Sequence, residues 1–380
     1  MSTGALDRVV VVGNGIAGLT AADTLRQAGF DGELTIVGNE THPAYSRPAL
    51  SKALLLEGDG MSSHELPPAG HAARELLGVH ATGLDLDRRR VTLDDGTALP
   101  YDRVVLATGS RARRLSDLPE EFTLRGLDDA LALRSRLAAR PSVVIVGGGP
   151  LGMEIASGCL AAGCRVTVVS QGVPLIVQLG PYLADVFVKA ALDRGLTVVE
   201  TAAARLLGRD GHARVVLDEG AVLEADVILT AAGDVPNTEW LADTGLASKG
   251  AVPVDTRGLV RPDVAAVGDL AAFPTPHGLR RVPMWSSAIE QAKVAAWALI
   301  RGDEAPPLRY QPYFWTEQFG LSLKAVGNLP LEGEPAYVDG VAGGGPALMR
   351  WSREDGTGDA VALNYRIPVP LLRRMTRAAA

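Results

Sequence analysis

Two glycine-rich stretches have the spacing that binds the pyrophosphate of a dinucleotide. In this pattern the first glycine makes a tight turn, the second lets the pyrophosphate approach the backbone, and the third lets helix and strand pack closely. The helix that follows offers its first N–H groups to the phosphates. The glycines are Gly13, Gly15 and Gly18 in GNGIAG, and Gly147, Gly149 and Gly152 in GGGPLG. They predict two bound dinucleotides, or one beside a degenerate copy; tight packing alone is the alternative.

Two further strand ends carry groups suited to a bound nucleotide. The stretch YDRVVLATGS is an apolar strand that ends in Ala107, Thr108 and Gly109. The stretch LVRPDVAAVGD is predicted to be another strand, and it ends in Gly268 and Asp269. A carboxylate at a strand end can accept hydrogen bonds from sugar-alcohol hydroxyls, although an ordinary turn or helix cap is the alternative role of Asp269.

The two cysteines do not have the spacing of a redox or metal site. Cys159 and Cys164 lie on or just after the helix that follows Gly152. A redox pair or a zinc site is expected to show Cys-x-x-Cys spacing, and residues five apart point to different faces of a helix. We therefore expect two buried thiols, no redox disulfide and no metal.

The elements around each glycine stretch follow one pattern. Residues 8–40 contain an apolar strand, the glycines, a helix pattern and a second strand at Leu34–Val37, and residues 143–172 repeat this order. Strands that alternate with helices predict parallel sheets and an α/β fold.

Chain length, net charge and the length of the apolar runs argue against some classes of protein. The chain has 380 residues, enough for two or three domains, and a net charge of −7, which gives no support to nucleic-acid binding. MSTGALDR leads directly into the first strand, and the apolar runs are shorter than a membrane span. We expect a cytoplasmic monomer or homodimer without a membrane segment. The abundance of Ala, Gly, Arg and Val is typical of a GC-rich bacterial source.

The sequence resembles the FAD-dependent NAD(P)H:ferredoxin and rubredoxin reductases of oxygenase systems, which are two-dinucleotide-domain, glutathione-reductase-like flavoproteins. The resemblance covers nearly the whole chain. It is carried by VVGNGIAG, YSRPALSKALL, VLATGS, VVIVGGGPLGMEIA, AAGDVPNTEWL, VAAVGDLA, WSSAIEQAKVAA and PYFWTEQFG. Disulfide reductases of this class carry a redox cysteine pair in their first domain, which this chain lacks. The resemblance implies an FAD-binding domain at 1–112 and 230–306, an inserted NAD(P)H-binding domain at 113–229 and a C-terminal α+β interface domain at 307–380.

The resemblance also implies which residues contact FAD. Asn39 stands where the family has a ribose-binding acid, with Glu40 next to it, and Trp285 opens a helix that would point at the flavin. The implied contacts are Gly13, Gly15, Ala17, Gly18, Asn39, Glu40, Arg47, Lys52, Val79, Ala107, Thr108, Gly109, Arg125, Gly268, Asp269 and Trp285.

A second set of implied residues belongs to the nicotinamide nucleotide and to the reaction. The nucleotide contacts are Gly147, Gly149, Leu151, Gly152, Ser170 and Gly233. The implied catalytic residues are Lys52, Glu154 and Trp315: Lys52 and Glu154 approach each other near the flavin, and Trp315 lies beside it. Helix-dipole stabilisation is the alternative for Glu154, and simple core packing is the alternative for the tryptophans.

The sequence departs from the family on the nucleotide side. A strand built for NADH usually ends in Asp or Glu, and one built for NADPH has Arg nearby. Here Ser170 and Gln171 follow the strand, and Gln178 stands where relatives often carry Arg. Asp234 adds a charge where the family commonly has an apolar residue. We expect weakened affinity for either nucleotide.

Three functions follow from these observations. The first is a reductase that passes electrons from NAD(P)H through FAD to a ferredoxin-type iron–sulfur protein. The second is an FAD enzyme that acts directly on a small organic substrate and has a weakened or unused nicotinamide site. The third is a flavin-bearing sensor or interaction protein. Cationic docking patches for an acidic ferredoxin are predicted at Arg111, Arg113, Arg114, Arg373 and Arg374.

Overall fold

The computed structural model describes residues 6–56, 64–209, 212–341 and 345–378. The α-helices are α1 (Ile16–Gln27), α2 (Ala53–Leu56), α3 (Leu127–Leu137), α4 (Pro150–Ala161), α5 (Ile176–Leu179), α6 (Pro181–Leu192), α7 (Trp285–Arg301) and α8 (Val369–Arg374). Short 3-10 turns lie at Arg47–Ala49, Glu239–Thr244, Gly268–Leu270 and Gly302–Glu304. None of the helices in these ranges combines the length and the hydropathy needed to cross a membrane.

The strands, in chain order, are β1 (Arg8–Val12), β2 (Glu33–Gly38), β3 (Arg74–Leu77), β4 (Ala81–Asp85), β5 (Arg90–Leu93), β6 (Ala98–Pro100), β7 (Arg103–Leu106), β8 (Ser110–Ala112), β9 (Glu121–Phe122), β10 (Ser142–Val146), β11 (Arg165–Ser170), β12 (Thr197–Glu200), β13 (Ala204–Arg209), β14 (His212–Leu217), β15 (Val222–Glu224), β16 (Val227–Thr230), β17 (Asp234–Pro236), β18 (Val252–Pro253), β19 (Leu259–Arg261), β20 (Val264–Ala266), β21 (Ala271–Thr275), β22 (Gly278–Arg281), β23 (Tyr313–Gln318), β24 (Leu321–Val326), β25 (Ala336–Gly340), β26 (Ala347–Ser352) and β27 (Gly358–Leu363).

The chain divides into two compact units, each assembled from three segments. The first unit contains Met1–Ser46, Glu65–Arg111 and Val235–Tyr310, and the second contains Arg47–His64, Ala112–Asp234 and Gln311–Ala380. The three-domain division expected from the sequence stays a prediction.

The first unit is built on a six-stranded sheet in the order β19-β20-β7-β1-β2-β3. Its central strand β1 runs parallel to both β2 and β7. The four valines of β1 are buried, as expected for a β-branched run covered on both faces. On one face α1 packs against α7, and the contact is rich in alanine, whose small side chain lets helices approach closely.

The stretch 259–269 differs from the single strand that the sequence predicts. It forms two antiparallel strands, β19 and β20, and then a 3-10 turn at Gly268–Leu270. Pro262 and Asp263 occupy the turn between the strands. Proline has no backbone N–H for a sheet and is common in turns, so the prediction of one strand was wrong here.

The second unit contains two sheets that matter for the site. One is parallel, in the order β12-β11-β10-β16-β9, and α4 follows its central strand β10. The other is antiparallel, in the order β23-β24-β27-β26-β25. Helix α4 contacts β23 and α2, so residues far apart in the sequence meet around this helix.

Candidate functional site

The first glycine stretch is packed tightly at two of its three glycines. Gly13 has φ of +119°, and a Cβ there would lie 2.1 Å from the carbonyl oxygen of Ala107. A Cβ on Gly18 would lie 1.8 Å from the carbonyl oxygen of Gly13. Both positions therefore require glycine for the fold itself.

Gly15 is different, because a Cβ there would meet no atom of the described chain within 4 Å. Gly15 is also the N-cap residue of α1, and no side chain forms a capping hydrogen bond at this helix start. The space beside Gly15 at the start of α1 is therefore open, and the N-terminus of a helix is a place that can bind phosphate. Ala17 is buried just inside the helix, and a Cβ on Gly268 would lie 3.1 Å from its methyl carbon.

Three predicted FAD contacts lie just beyond β2 and β3. Asn39 is exposed immediately after β2. The Glu40 carboxylate accepts a hydrogen bond of 2.5 Å from the hydroxyl of Tyr45. Val79 is half-buried, and its N–H donates to the carbonyl of Gly38 at 3.0 Å. Glu40 is therefore already fixed by a neighbour, whereas the Asn39 side chain faces solvent.

The predicted strand ends of the first unit are joined by hydrogen bonds. The Ser110 hydroxyl donates to the Asp269 carboxylate at 3.1 Å. The backbone N–H of Gly268 donates to the side-chain oxygen of Gln291, which is 2% exposed on α7. Trp285 is half-buried as the first residue of that helix, where the sequence predicts it.

Asn237 ties the Ala107-Thr108-Gly109 turn to the segment after β17. The Thr108 hydroxyl donates to the Asn237 carbonyl at 2.7 Å, and the Asn237 amide donates back to the Thr108 carbonyl at 2.9 Å. Asn237 and Gln291 were not among the predicted site residues. Both belong to quoted motifs, AAGDVPN and WSSAIEQ, so the signal was present but not tied to a role.

The second glycine stretch repeats the geometry of the first. A Cβ on Gly147 would lie 2.3 Å from the carbonyl oxygen of Ala231, and one on Gly152 would lie 2.0 Å from that of Gly147. A Cβ on Gly149 would meet only the side-chain nitrogen of Gln178, at 3.9 Å. The space beside Gly149 is therefore nearly as open as that beside Gly15, but α4 begins with Pro150, which has no N–H to offer.

Two other predicted nucleotide contacts flank this second stretch. Leu151 is 38% exposed on the first turn of α4. Gly233 has φ of +95°, and its carbonyl accepts the N–H of Arg113 at 3.0 Å.

The end of β11 is neutral at the positions that usually read the nucleotide. Ser170 is buried, and a Cβ on Gly148 would lie 2.3 Å from its hydroxyl oxygen. Gln171 donates to the carbonyl of Ala202 at 2.9 Å, and Gln178 is exposed. A carboxylate that was not predicted near this strand end is Glu200, the residue on β12 in register with Ser170.

Lys52 and Glu154 are brought together in the second unit. The Lys52 ammonium lies 2.7 Å from Oε2 of Glu154 and 3.2 Å from the carbonyl of Pro48. Glu154 is 7% exposed and lies on α4 just after its first turn. A Cβ on Gly158, one turn further along α4, would lie 3.2 Å from a methyl carbon of Leu55, so this glycine lets α2 and its neighbours approach α4 closely.

Two more hydroxyls bind Glu154, and the sequence did not predict either. The Ser51 hydroxyl donates to Oε2 at 2.5 Å, and the Thr316 hydroxyl donates to Oε1 at 2.5 Å. Thr316 in turn accepts a hydrogen bond from the side-chain amide of Gln318 at 3.0 Å. Serine and threonine are too common for type or spacing to have identified them.

The remaining predicted site residues of the second unit are Arg47, Arg125 and Trp315. The Arg47 guanidinium donates to the carbonyl of Arg125 at 2.8 Å. Trp315 is half-buried on β23 and stacks on Tyr313, with ring centroids 5.7 Å apart and planes 15° apart. Of the implied FAD contacts, Arg47, Lys52 and Arg125 belong to the second unit, and the others belong to the first.

Both cysteines are buried and neither is in a disulfide. Burial, with a smaller contribution from Cys164, raises the pKa of the Cys159 thiol to about 12. Burial also raises the pKa of Cys164. Thiolates are the nucleophilic form of cysteine, so these residues are poorly suited to redox exchange.

Most of the arginines predicted to dock a partner are engaged locally. Arg111 pairs with Glu239 at 2.7 Å. Arg113 and Arg114 donate to backbone carbonyls at 3.4 and 2.6 Å. Arg373 is half-buried and Arg374 is exposed at the end of α8. Their docking role stays a prediction.

The chain is similar to proteins of known function over almost its whole length. Residues 7–297 match the pyridine nucleotide-disulphide oxidoreductase family. The ferredoxin–NAD(+) reductase component of the biphenyl dioxygenase system of Paraburkholderia xenovorans is 34% identical, over 90% of this chain and 86% of that protein. The crystal structure of a ferredoxin reductase from Rhodopseudomonas palustris matches with a TM-score of 0.86 and 29% identity, over 94% of this chain and 91% of that one. The reductase–putidaredoxin covalent complex matches with a TM-score of 0.86 and 28% identity, over 98% and 94%.

Proposed function

This chain belongs to the pyridine nucleotide-disulphide oxidoreductase family, and on that premise we propose that it is a flavin-dependent electron-transfer reductase. It takes a hydride from NADH or NADPH onto FAD and passes single electrons to a ferredoxin-type iron–sulfur protein. The family resemblance, the α/β fold class and the oxidoreductase class predicted from the sequence are confirmed. The observation that carries the proposal is the open space at two helix starts, beside Gly15 and beside Gly149. Each of these glycines lies in the sequence between two others at which a side chain would collide with the backbone.

The first unit fits FAD. The space beside Gly15 lies at the N-terminus of α1, where no side chain caps the helix, and such a helix start suits a pyrophosphate. Asp269 is held by Ser110, and a carboxylate at this strand end can accept hydrogen bonds from ribityl hydroxyls. We assign the FAD pyrophosphate to Gly13, Gly15, Ala17 and Gly18, and the ribityl chain to Asp269.

The second unit fits a nicotinamide nucleotide, whose pyrophosphate we assign to Gly147, Gly149 and Gly152. FAD, when bound, accepts the two electrons of a hydride and releases them one at a time, which joins a two-electron donor to a one-electron acceptor. In our proposal Glu154 and Lys52 orient the nicotinamide and balance the charge that develops during the transfer. No nucleophile is required, and the chain offers no reactive thiol.

The partner in this proposal is a small iron–sulfur protein. Relatives at 34% identity are ferredoxin reductase components of dioxygenase systems, and a structural neighbour is bound to putidaredoxin. The proposal sets the reaction in the cytoplasm of a bacterium, because metabolism supplies NADH and NADPH there and the named relatives are bacterial.

The choice between NADH and NADPH as hydride donor depends on the residues that contact the adenosine ribose. An acid at the end of the second strand holds the ribose 2′-hydroxyl of NADH, and a nearby arginine holds the 2′-phosphate of NADPH. With Ser170 and Gln178 at these places, neither nucleotide gains a charge-assisted bond there. We expect similar and modest affinities for NADH and NADPH.

An anaerobic stopped-flow titration of the FAD-loaded protein with NADH and then NADPH tests the proposal. We expect either nucleotide to bleach the flavin absorbance, and added ferredoxin or cytochrome c to reoxidise it. If neither nucleotide reduces the flavin while dithionite does, the reductase proposal is wrong.

A second candidate is an FAD enzyme that acts directly on a small organic substrate. The neutral end of β11 favours it, because a nucleotide site that is no longer used is free to lose its charged contacts. The same titration separates the two functions. Reduction by dithionite alone would direct attention to small-molecule substrates screened by flavin bleaching.

A further inference from the structure

The Glu154 carboxylate is bonded by three donors, which come from two segments of the second unit. We propose that Thr316 is a positioning residue for hydride transfer, which acts by fixing the orientation of Glu154. This inference rests on the proposed function, because it assumes that Glu154 orients the nicotinamide. It assigns a role to the residue that follows Trp315 on β23.

The donors are distributed unequally between the two carboxylate oxygens. Oε2 accepts from the Ser51 hydroxyl at 2.5 Å and from the Lys52 ammonium at 2.7 Å. Oε1 accepts from the Thr316 hydroxyl at 2.5 Å. The terminal torsion of a glutamate has a broad energy profile. Rotation about it moves both oxygens, so the bond to Oε1 adds to the two bonds on Oε2 in holding the carboxylate plane.

The Thr316 hydroxyl can point in only one direction. The Gln318 amide donates to its oxygen at 3.0 Å. A hydroxyl has one proton, and an ionised carboxylate can only accept hydrogen bonds. The proton of Thr316 therefore goes to Glu154, and Gln318 orients the hydroxyl from behind.

Burial makes these bonds firm. Thr316 is 0% exposed, Gln318 3%, Ser51 5% and Glu154 7%. Water does not compete for buried donors, and hydrogen bonds to charged groups are the stronger class. Along β23 the buried residues Thr316 and Gln318 alternate with the exposed Glu317, so the strand itself presents both donors on the side of α4.

The test compares Thr316→Val with Thr316→Ser. Valine has nearly the same shape without the O–H, and serine restores the O–H. In anaerobic stopped-flow reduction we expect Thr316→Val to lower the limiting rate constant about 10-fold, and Thr316→Ser to stay within about twofold of the wild type. Thr24→Val is a matched control, because Thr24 is a buried threonine that donates to the carbonyl of Thr20 in the first unit.

Two further readouts distinguish positioning from simple structural support. The dissociation constant of NAD+ for the oxidised holoenzyme, measured by calorimetry, is expected to change by less than about twofold, because the glycine stretch dominates ground-state binding. Crystal structures are expected to show a turned Glu154 carboxylate in Thr316→Val and the wild-type orientation in Thr316→Ser.

A double-mutant cycle shows whether Thr316 acts through Glu154. In the Glu154→Gln background, Thr316→Val should lower the limiting rate constant of flavin reduction little further, because the carboxylate that Thr316 positions has already been removed. An equal loss in both backgrounds, or a Thr316→Val rate within twofold of the wild type, overturns the inference. Wild-type flavin that neither nucleotide reduces overturns the proposed function itself, and that outcome is visible before any variant is compared.

Discussion

At the scale of single residues, the glycines of each nucleotide motif have two different tasks. Gly13 and Gly18 are required by the fold, because a side chain on either would collide with backbone carbonyls. Gly15 is free of such contacts. The described chain itself leaves room for a side chain at position 15, and in our proposal this room is what the FAD pyrophosphate occupies.

Gly15→Ala should separate cofactor binding from folding. The added methyl group meets no described atom of the protein, but it occupies the space through which a pyrophosphate approaches. We expect a folded apoprotein with the wild-type circular dichroism spectrum, and FAD affinity about tenfold weaker or worse, measured by the quenching of flavin fluorescence.

Gly18→Ala is the control for this prediction. Its Cβ would overlap the carbonyl of Gly13 at 1.8 Å, so we expect loss of soluble folded protein, not a selective loss of FAD. If Gly15→Ala binds FAD as tightly as the wild type does, the assignment of the pyrophosphate to this site is wrong.

Ser170→Glu should create a preference for NADH. The new carboxylate can accept a bond from the ribose 2′-hydroxyl and repels a 2′-phosphate. A charge-assisted bond of this kind corresponds to roughly a tenfold gain in kcat/KM for NADH, with no gain for NADPH. Steady-state kinetics with both nucleotides measure the ratio, and Ser170→Ala is the control, in which the ratio should stay near that of the wild type.

Residue types and spacing predicted part of the site and missed the rest for a physical reason. The glycines were predictable because few other residues can stand in such turns. Ser51 and Thr316 were not, because a hydroxyl acquires its role only when the fold brings it to Glu154. Glu200 was missed because strand register is invisible before β11 and β12 are paired.

At the scale of elements, Glu121, the first residue of β9, binds the loop that precedes this strand. Its carboxylate accepts the N–H groups of Leu115 and Ser116 at 2.8 and 2.9 Å. Burial alone would raise the pKa of Glu121, but hydrogen bonds from its neighbours outweigh burial and hold the pKa below its ordinary value of 4.5. The ionised form is therefore the one that holds the loop.

Because this pKa is lower in the folded protein, the stabilisation is complete above the ordinary value of 4.5 and is lost as the pH falls through the lowered value. We expect hydrogen-exchange protection of the Leu115 and Ser116 amides to be high at neutral pH and to fall in acid. In Glu121→Gln it should be low and nearly independent of pH. Equal protection in both proteins at neutral pH would contradict this assignment.

The elements themselves were predicted unevenly. The two strand–glycine–helix units follow from periodicity and glycine spacing, and the start of α7 at Trp285 follows from the family resemblance; the structure has them at those places. The hairpin of β19 and β20 was missed, because a proline inside an apolar run was read as part of one strand. Which strands neighbour one another was not predictable from local pattern, since β20 pairs with β7 across a long stretch of chain.

At the scale of the whole molecule, electron transfer should be independent of thiols. The chain has two cysteines, both buried, with raised pKa values. We expect Cys159→Ala/Cys164→Ala to retain nucleotide-dependent flavin reduction within about twofold, because hydride transfer is the chemistry of the cofactor. Rates are measured by stopped flow with the wild type alongside.

Thiol labelling provides the matching control. A disulfide-forming reagent should modify no cysteine in the native protein and both after unfolding, since both thiols are buried. A large loss of rate in a double variant that remains folded and binds FAD would indicate a redox role for the thiols, and the proposed route of electrons would have to change.

Neither compact unit is continuous along the chain, and this has a consequence for synthesis on the ribosome. The first unit needs β19 and β20 to complete the sheet that begins with β1, so that sheet stays open at β7 until residue 266 has emerged. By then most of the second unit has already been translated, including α4 with Glu154. The six-stranded sheet therefore cannot be completed until most of the second unit has been translated, and a nascent chain halted before β20 should expose the edge of β7 to chaperones.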